Sequence, residues 1–136
     1  MSRQKHILCV DDDVNFLNSI KNILESYNYK FTKATNPEAC FEAISSALPD
    51  LIILDVMMTQ VDSGFDICRK LKTEERTKDI PILMLTAIDK QYPFHFGKSG
   101  ADPDWMPYDG FLDKPIQAKE LLENVQRLLR GEGKEK

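Results

Sequence analysis

Hydrophobic and polar positions alternate along the chain in two recurring forms. The first is a short, unbroken apolar run that stops at a polar residue. Ile7-Leu8-Cys9-Val10 stops at Asp11-Asp12-Asp13, and Leu51-Ile52-Ile53-Leu54 stops at Asp55. Pro81 to Leu85 stops at Thr86, and Phe111-Leu112 stops at Asp113, just before Lys114-Pro115. The first two runs fit strands buried on both faces, the third a fourth strand and the last a short fifth one. A further candidate, Tyr29 to Ala34, is less apolar and fits a strand at the sheet edge. The second form recurs every three or four residues and predicts helices. Phe16, Leu17, Ile20, Ile23, Leu24 and Tyr27 predict one from about Val14 to Tyr27. Ala39, Ala43, Ile44 and Ala47 predict a second, opened by the cap-and-proline pair Asn36-Pro37 and closed by Pro49-Asp50. Phe65, Cys68 and Leu71 predict a third, and Ala118, Leu121, Leu122, Val125, Leu128 and Leu129 a last one from about Ala118 to Leu129.

Strand and helix thus alternate five times, a pattern that predicts an α/β fold with a parallel sheet, right-handed crossovers and helices on both faces. The stretch from Ile88 to Gly110 breaks the rhythm. Pro93, Pro103, Pro107 and three glycines exclude a long helix there, and Tyr92, Phe94, Phe96, Trp105 and Tyr108 predict a compact irregular segment with at most short helical turns. Those aromatics form either a small core beneath a long loop or an altered partner surface. Residues 1–5 read as a frayed terminus, 6–130 as one domain and 131–136 as a solvated tail.

With 136 residues, 42% hydrophobic and 29% charged, the chain can bury a core without disulfide or metal staples. A formal net charge of -4 argues against direct nucleic-acid binding, which needs a basic patch. Cys9, Cys40 and Cys68 match no zinc or redox spacing and read as small buried hydrophobes. No apolar run reaches the ~20 residues of a membrane span and no signal peptide precedes the first strand, so the expected location is the cytoplasm.

In a parallel sheet every strand ends at one edge, where ligands and chemistry collect. That edge should gather Asp11, Asp12, Asp55, Thr86 and Lys114. Converging carboxylates without matching bases repel one another, and a hard divalent cation such as Mg²⁺ removes the conflict through oxygen ligands and retained waters. A cation beside Asp55 neutralises charge on a transferring phosphoryl group, Lys114 supplies a fixed positive charge, and Thr86 offers a hydroxyl. Together they describe a carboxylate nucleophile that becomes an acyl phosphate. Asp13 is different: as the acid nearest the first helix it reads as an N-cap or a solvated position.

Ile7 to Asp12, Leu51 to Asp55, Leu85-Thr86-Ala87 and Phe111 to Pro115, in that order, resemble the signature segments of response-regulator receiver domains. The resemblance runs from about His6 to Leu129. It implies a flavodoxin-like sheet of five strands in the order 2-1-3-4-5, with the fourth helix shortened or replaced by the irregular segment. It implies Asp55 as phosphoacceptor, Mg²⁺ held by Asp12 directly, by Asp11 through water, by Asp55 and by the backbone carbonyl of Met57. Thr86, the backbone NH of Ala87 and Lys114 would contact the phosphoryl group. Thr86 and Phe111 would form a two-state switch. The Lys114-Pro115 bond would be cis, an isomer that proline makes accessible. A histidine kinase or phosphotransfer protein would be the donor, docking near Asn15, Asn18 and Ser19 of the first helix, and an output partner or a missing effector domain would receive the signal.

The chain departs from the receiver pattern in three places. Thr59 stands where proline is usual, and Asp62-Ser63-Gly64 carries one residue more than the usual Asp-Gly. Met57 and Ile88 occupy positions where polar side chains often orient the water that removes the phosphoryl group, which implies a longer-lived acyl phosphate. Thr86 and Lys114 lie 28 positions apart, longer than usual. The competing expectation is a small haloacid-dehalogenase-like phosphatase, with Asp11 as nucleophile in an Asp-x-Asp after the first strand; that reading leaves Asp55 without a role and lacks an evident cap domain. A degenerate receiver that only binds partners is opposed by the complete acid, Thr and Lys set.

Overall fold

A computed structural model describes residues 4–55, 63–86, 110–113 and 116–130. Their elements follow as β1 (His6–Val10), α1 (Val14–Ser26), β2 (Lys30–Ala34), α2 (Pro37–Ser46), β3 (Leu51–Asp55), α3 (Ser63–Thr73), β4 (Ile82–Thr86), β5 (Gly110–Asp113) and α4 (Ala118–Leu129). The five strands form one parallel sheet in the order β2-β1-β3-β4-β5. The expected irregular stretch falls almost wholly outside the described residues. Among those described, no helix is long and apolar enough to cross a membrane.

Unbroken apolar strands are what two-sided burial requires, and each strand feeds its alternate residues to opposite faces. Leu8, Val10, Ile52, Leu54, Ile82 and Met84 meet Cys40 and Ile44 of α2 and Ile67, Cys68 and Leu71 of α3. Ile7, Cys9, Leu51, Ile53, Leu83 and Leu85 meet Leu17, Ile20 and Leu24 of α1 and Leu121, Leu122, Val125 and Leu128 of α4. The sheet therefore separates two cores, with α2 and α3 on one side and α1 and α4 on the other.

The helices start where capping chemistry places them. Asp13 Oδ1 accepts from Phe16 N at 3.2 Å, and Asn36 Oδ1 from Ala39 N at 2.7 Å with Pro37 in the first turn. Helix α1 ends one residue before the expected Tyr27. That residue is the C-cap and is 56% exposed, and Asn28 follows at φ 70, a left-handed position that Asn tolerates. Helix α2 stops at Ser46, so Ala47 is exposed rather than inward, and Cys40 takes an inward place instead. Ala118, expected inward, opens α4 in an exposed position. Helix α3 extends past both expected ends. Thr77 beyond it is buried, and its hydroxyl donates to Leu71 O at 2.6 Å.

At the amino ends of the strands, His6 is buried, and its Nε2 lies 2.7 Å from Thr32 Oγ1 on β2. His6 N donates to Asp50 Oδ2 at 2.8 Å, and Asp50 N donates back to His6 O at 2.7 Å. This reciprocal pair ties β1 to the start of β3.

Candidate functional site

The sheet register places the acids. Val10 pairs with Leu54 across β1 and β3, so Asp11 and Asp55 are the next residues along neighbouring parallel strands. Both emerge at the carboxyl edge. One oxygen from each of Asp11, Asp12 and Asp55 lies within 4.8 Å of the others. Asp11 is 0% and Asp55 2% exposed, whereas Asp12 faces solvent. Two buried carboxylates at this separation are costly unless cations or hydrogen bonds compensate them.

The loop that delivers Asp11 is held on both sides. Asp11 N donates to Ala34 O at 3.0 Å, extending the β1–β2 pairing by one step. Asp11 Oδ1 accepts from Asp13 N at 2.9 Å. Asp13 in turn caps α1 with its side chain and accepts from Leu17 N at 3.0 Å with its carbonyl. The cap was legible from the sequence. The hydrogen bond from Asp13 N to Asp11 was not, because a backbone N–H leaves no trace in residue identity.

Strand β4 brings one more predicted position to the same edge. Asp55 is in register with Leu85, and Thr86 with Asp113. The backbone of Thr86 therefore ends β4 beside the acids, and that of Phe111 lies within β5 opposite Met84. Their side chains, together with Met57, Ala87, Lys114 and Pro115, lie outside the described residues.

The oxygen set suits a small hard cation. Mg²⁺ holds ligands at 2.0–2.1 Å, which puts opposite ligands about 4 Å apart. Three carboxylate oxygens within 4.8 Å need only small movements, or one intervening water, to share such an ion. Asp11, Asp12 and Asp55 are thus the described residues that could hold a metal.

Comparison with known proteins gives the arrangement its context. The family model described as response regulator receiver domain matches residues 7–126. The chain is 38% identical over 125 residues to the DNA-binding dual master transcriptional regulator RpaA of Synechocystis sp., covering 91% of this chain and 48% of that protein. It therefore spans about half the length of the curated relative it matches. Among solved structures, the signal receiver domain of a signal transduction histidine kinase from Syntrophus aciditrophicus is 31% identical, with a TM-score of 0.78, covering 93% of this chain and 91% of that one. The chemotaxis protein CheY4 of Vibrio cholerae is 26% identical, with a TM-score of 0.78, covering 92% and 98% respectively. Sequence and fold agree over the same span, and the chain belongs to the response regulator receiver domain family.

Proposed function

We propose that Asp55 is the phosphoacceptor of a two-component phosphorelay, and that Asp11 and Asp12 hold the Mg²⁺ that the transfer requires. The observation that carries this reading is the convergence of the three carboxylates at the carboxyl edge, with Asp55 at the tip of the central strand β3. An oxygen of Asp55 attacks phosphorus, the O–P bond forms as the P–N bond of a donor phosphohistidine breaks, and the departing imidazole takes up a proton. Bound Mg²⁺ supplies charge neutralisation for the transferring group. The backbone carbonyl of Met57 would be a further ligand to the cation. Thr86, the backbone NH of Ala87 and Lys114 receive the phosphoryl oxygens, and Phe111 follows Thr86 in the conformational switch.

In this reading the chain is a regulatory phosphoacceptor rather than a classical enzyme. Asp55, not Asp11, is the nucleophile, which sets the phosphatase alternative aside. The donor is a histidine kinase or phosphotransfer protein docking on the exposed side of α1 near Asn15, Asn18 and Ser19, and the signal passes to an output partner or to a domain beyond this chain.

The test is incubation with Mg²⁺ and acetyl phosphate followed by intact mass. The wild-type chain gains one phosphoryl group, Asp55→Asn gains none, and removal of Mg²⁺ by chelation abolishes the gain. Phosphorylation that persists in Asp55→Asn and disappears in Asp11→Asn would overturn the assignment.

A further inference from the structure

Resting on the cation site just proposed, we infer that Asp13 is a positioning residue for it, acting through the backbone and the helix cap rather than as a ligand. Three groups of this one residue are engaged at once. Its N–H donates to Asp11 Oδ1 at 2.9 Å, its carbonyl accepts from Leu17 N at 3.0 Å, and its side-chain oxygen accepts from Phe16 N at 3.2 Å. The last two fix Asp13 to the first turn of α1, with φ -95 and ψ 102. The first hands that fixity to Asp11. The buried Asp11 carboxylate is thereby held at one oxygen, in a position where an oxygen of it lies within 4.8 Å of one from each of Asp12 and Asp55. A ligand already held in place loses less freedom when the ion arrives, and hydrogen bonds that orient metal ligands sustain affinity for the same reason.

The inference separates geometry from charge. Asn caps helices as well as Asp, whereas Ala does not. Asp13→Asn therefore keeps the fastening and removes the charge, and Asp13→Ala removes both. Asn36→Ala serves as the control, because it deletes the equivalent cap of α2, at 2.7 Å to Ala39 N, without touching the acidic loop.

The measurement is the Mg²⁺ dissociation constant of the full, unphosphorylated chain by calorimetric titration, with thermal unfolding of each variant recorded in parallel. Asp13→Ala should weaken Mg²⁺ binding about fivefold to tenfold, Asp13→Asn should stay within about twofold of wild type, and Asn36→Ala should lower the unfolding temperature while leaving Mg²⁺ affinity unchanged. Wild-type affinity in Asp13→Ala overturns the inference, as does equal weakening in Asp13→Asn and Asp13→Ala, which would make the charge the cause. Weakening in Asn36→Ala as large as in Asp13→Ala overturns it too, reducing the effect to general stability. No binding by the wild-type chain would remove the metal reading itself, and this inference with it.

Discussion

Neutralising Asp55 should stabilise the metal-free protein. Asp11 and Asp55 are both buried, and their carboxylate oxygens lie within 4.8 Å. At that distance, two full charges repel by about 3 kcal/mol for an effective dielectric constant of about 20. The net effect is smaller, since Asp12 beside them faces water and both acids take part in further interactions. A gain of about 1 kcal/mol for Asp55→Asn is the expected outcome, or about 4 °C in unfolding temperature for a chain of this size. Mg²⁺ should act unequally on the two proteins. At ten times its dissociation constant it stabilises the wild type by about 1.4 kcal/mol, and it should do little for the variant, which lacks one ligand and the repulsion that the ion relieves. The assay is urea unfolding of both proteins in EDTA and in excess MgCl₂. A variant less stable than wild type in EDTA, or one stabilised by Mg²⁺ as strongly as wild type, would refute the electrostatic account of the site.

Four other outcomes follow from the same structure. Ile53→Ala empties a fully buried position between α1 and α4 and should cost about 2–5 kcal/mol in denaturant unfolding. Gly110→Ala places a methyl 3.0 Å from Leu83 Cδ1 and 3.1 Å from Leu128 Cδ1; since both are side-chain tips that can shift, the loss should be about 1 kcal/mol, and an unchanged unfolding midpoint would contradict that contact. Burial pushes the Cys40 thiol up to about 12, so the folded state keeps the proton that the unfolded chain releases near pH 9; stability is unaffected below that pH and falls as pH rises above it, and native protein at pH 8 should resist iodoacetamide at all three buried cysteines until urea is added. If Met57 leaves the attacking water unoriented, Met57→Asn should shorten the lifetime of the phosphorylated chain, measured as phosphoprotein decay; an unchanged lifetime argues against that role.

Much of the architecture was written in the apolar runs, because a strand buried on both faces has few substitutes for Ile, Leu and Val. The strand-end acids were readable for a related reason: a carboxylate following Leu54 or Val10 has nowhere to go except the edge. Helix stripes were less decisive. Ala39, Cys40, Ala43, Ile44 and Ala47 all fit a helical face, and spacing alone could not say that the helix stops at Ser46 and leaves Ala47 outside. Small residues carry little hydrophobic signal, so where a helix stops decides their fate. His6 and Thr77 were missed because a polar residue looks solvated until its partner is known. Those partners, Thr32 and the carbonyl of Leu71, are distant in the chain or belong to the backbone.

The clasp between His6 and Asp50 lies at the end of the molecule remote from the acids. It anchors the two strands whose opposite tips carry Asp11 and Asp55. Any rearrangement provoked by a phosphoryl group must then grow with distance from a fixed base, as a pair of tongs opens at the jaws and not at the rivet. Amide hydrogens at His6 and Asp50 are accordingly expected to exchange at one rate before and after modification, while those flanking the acids change.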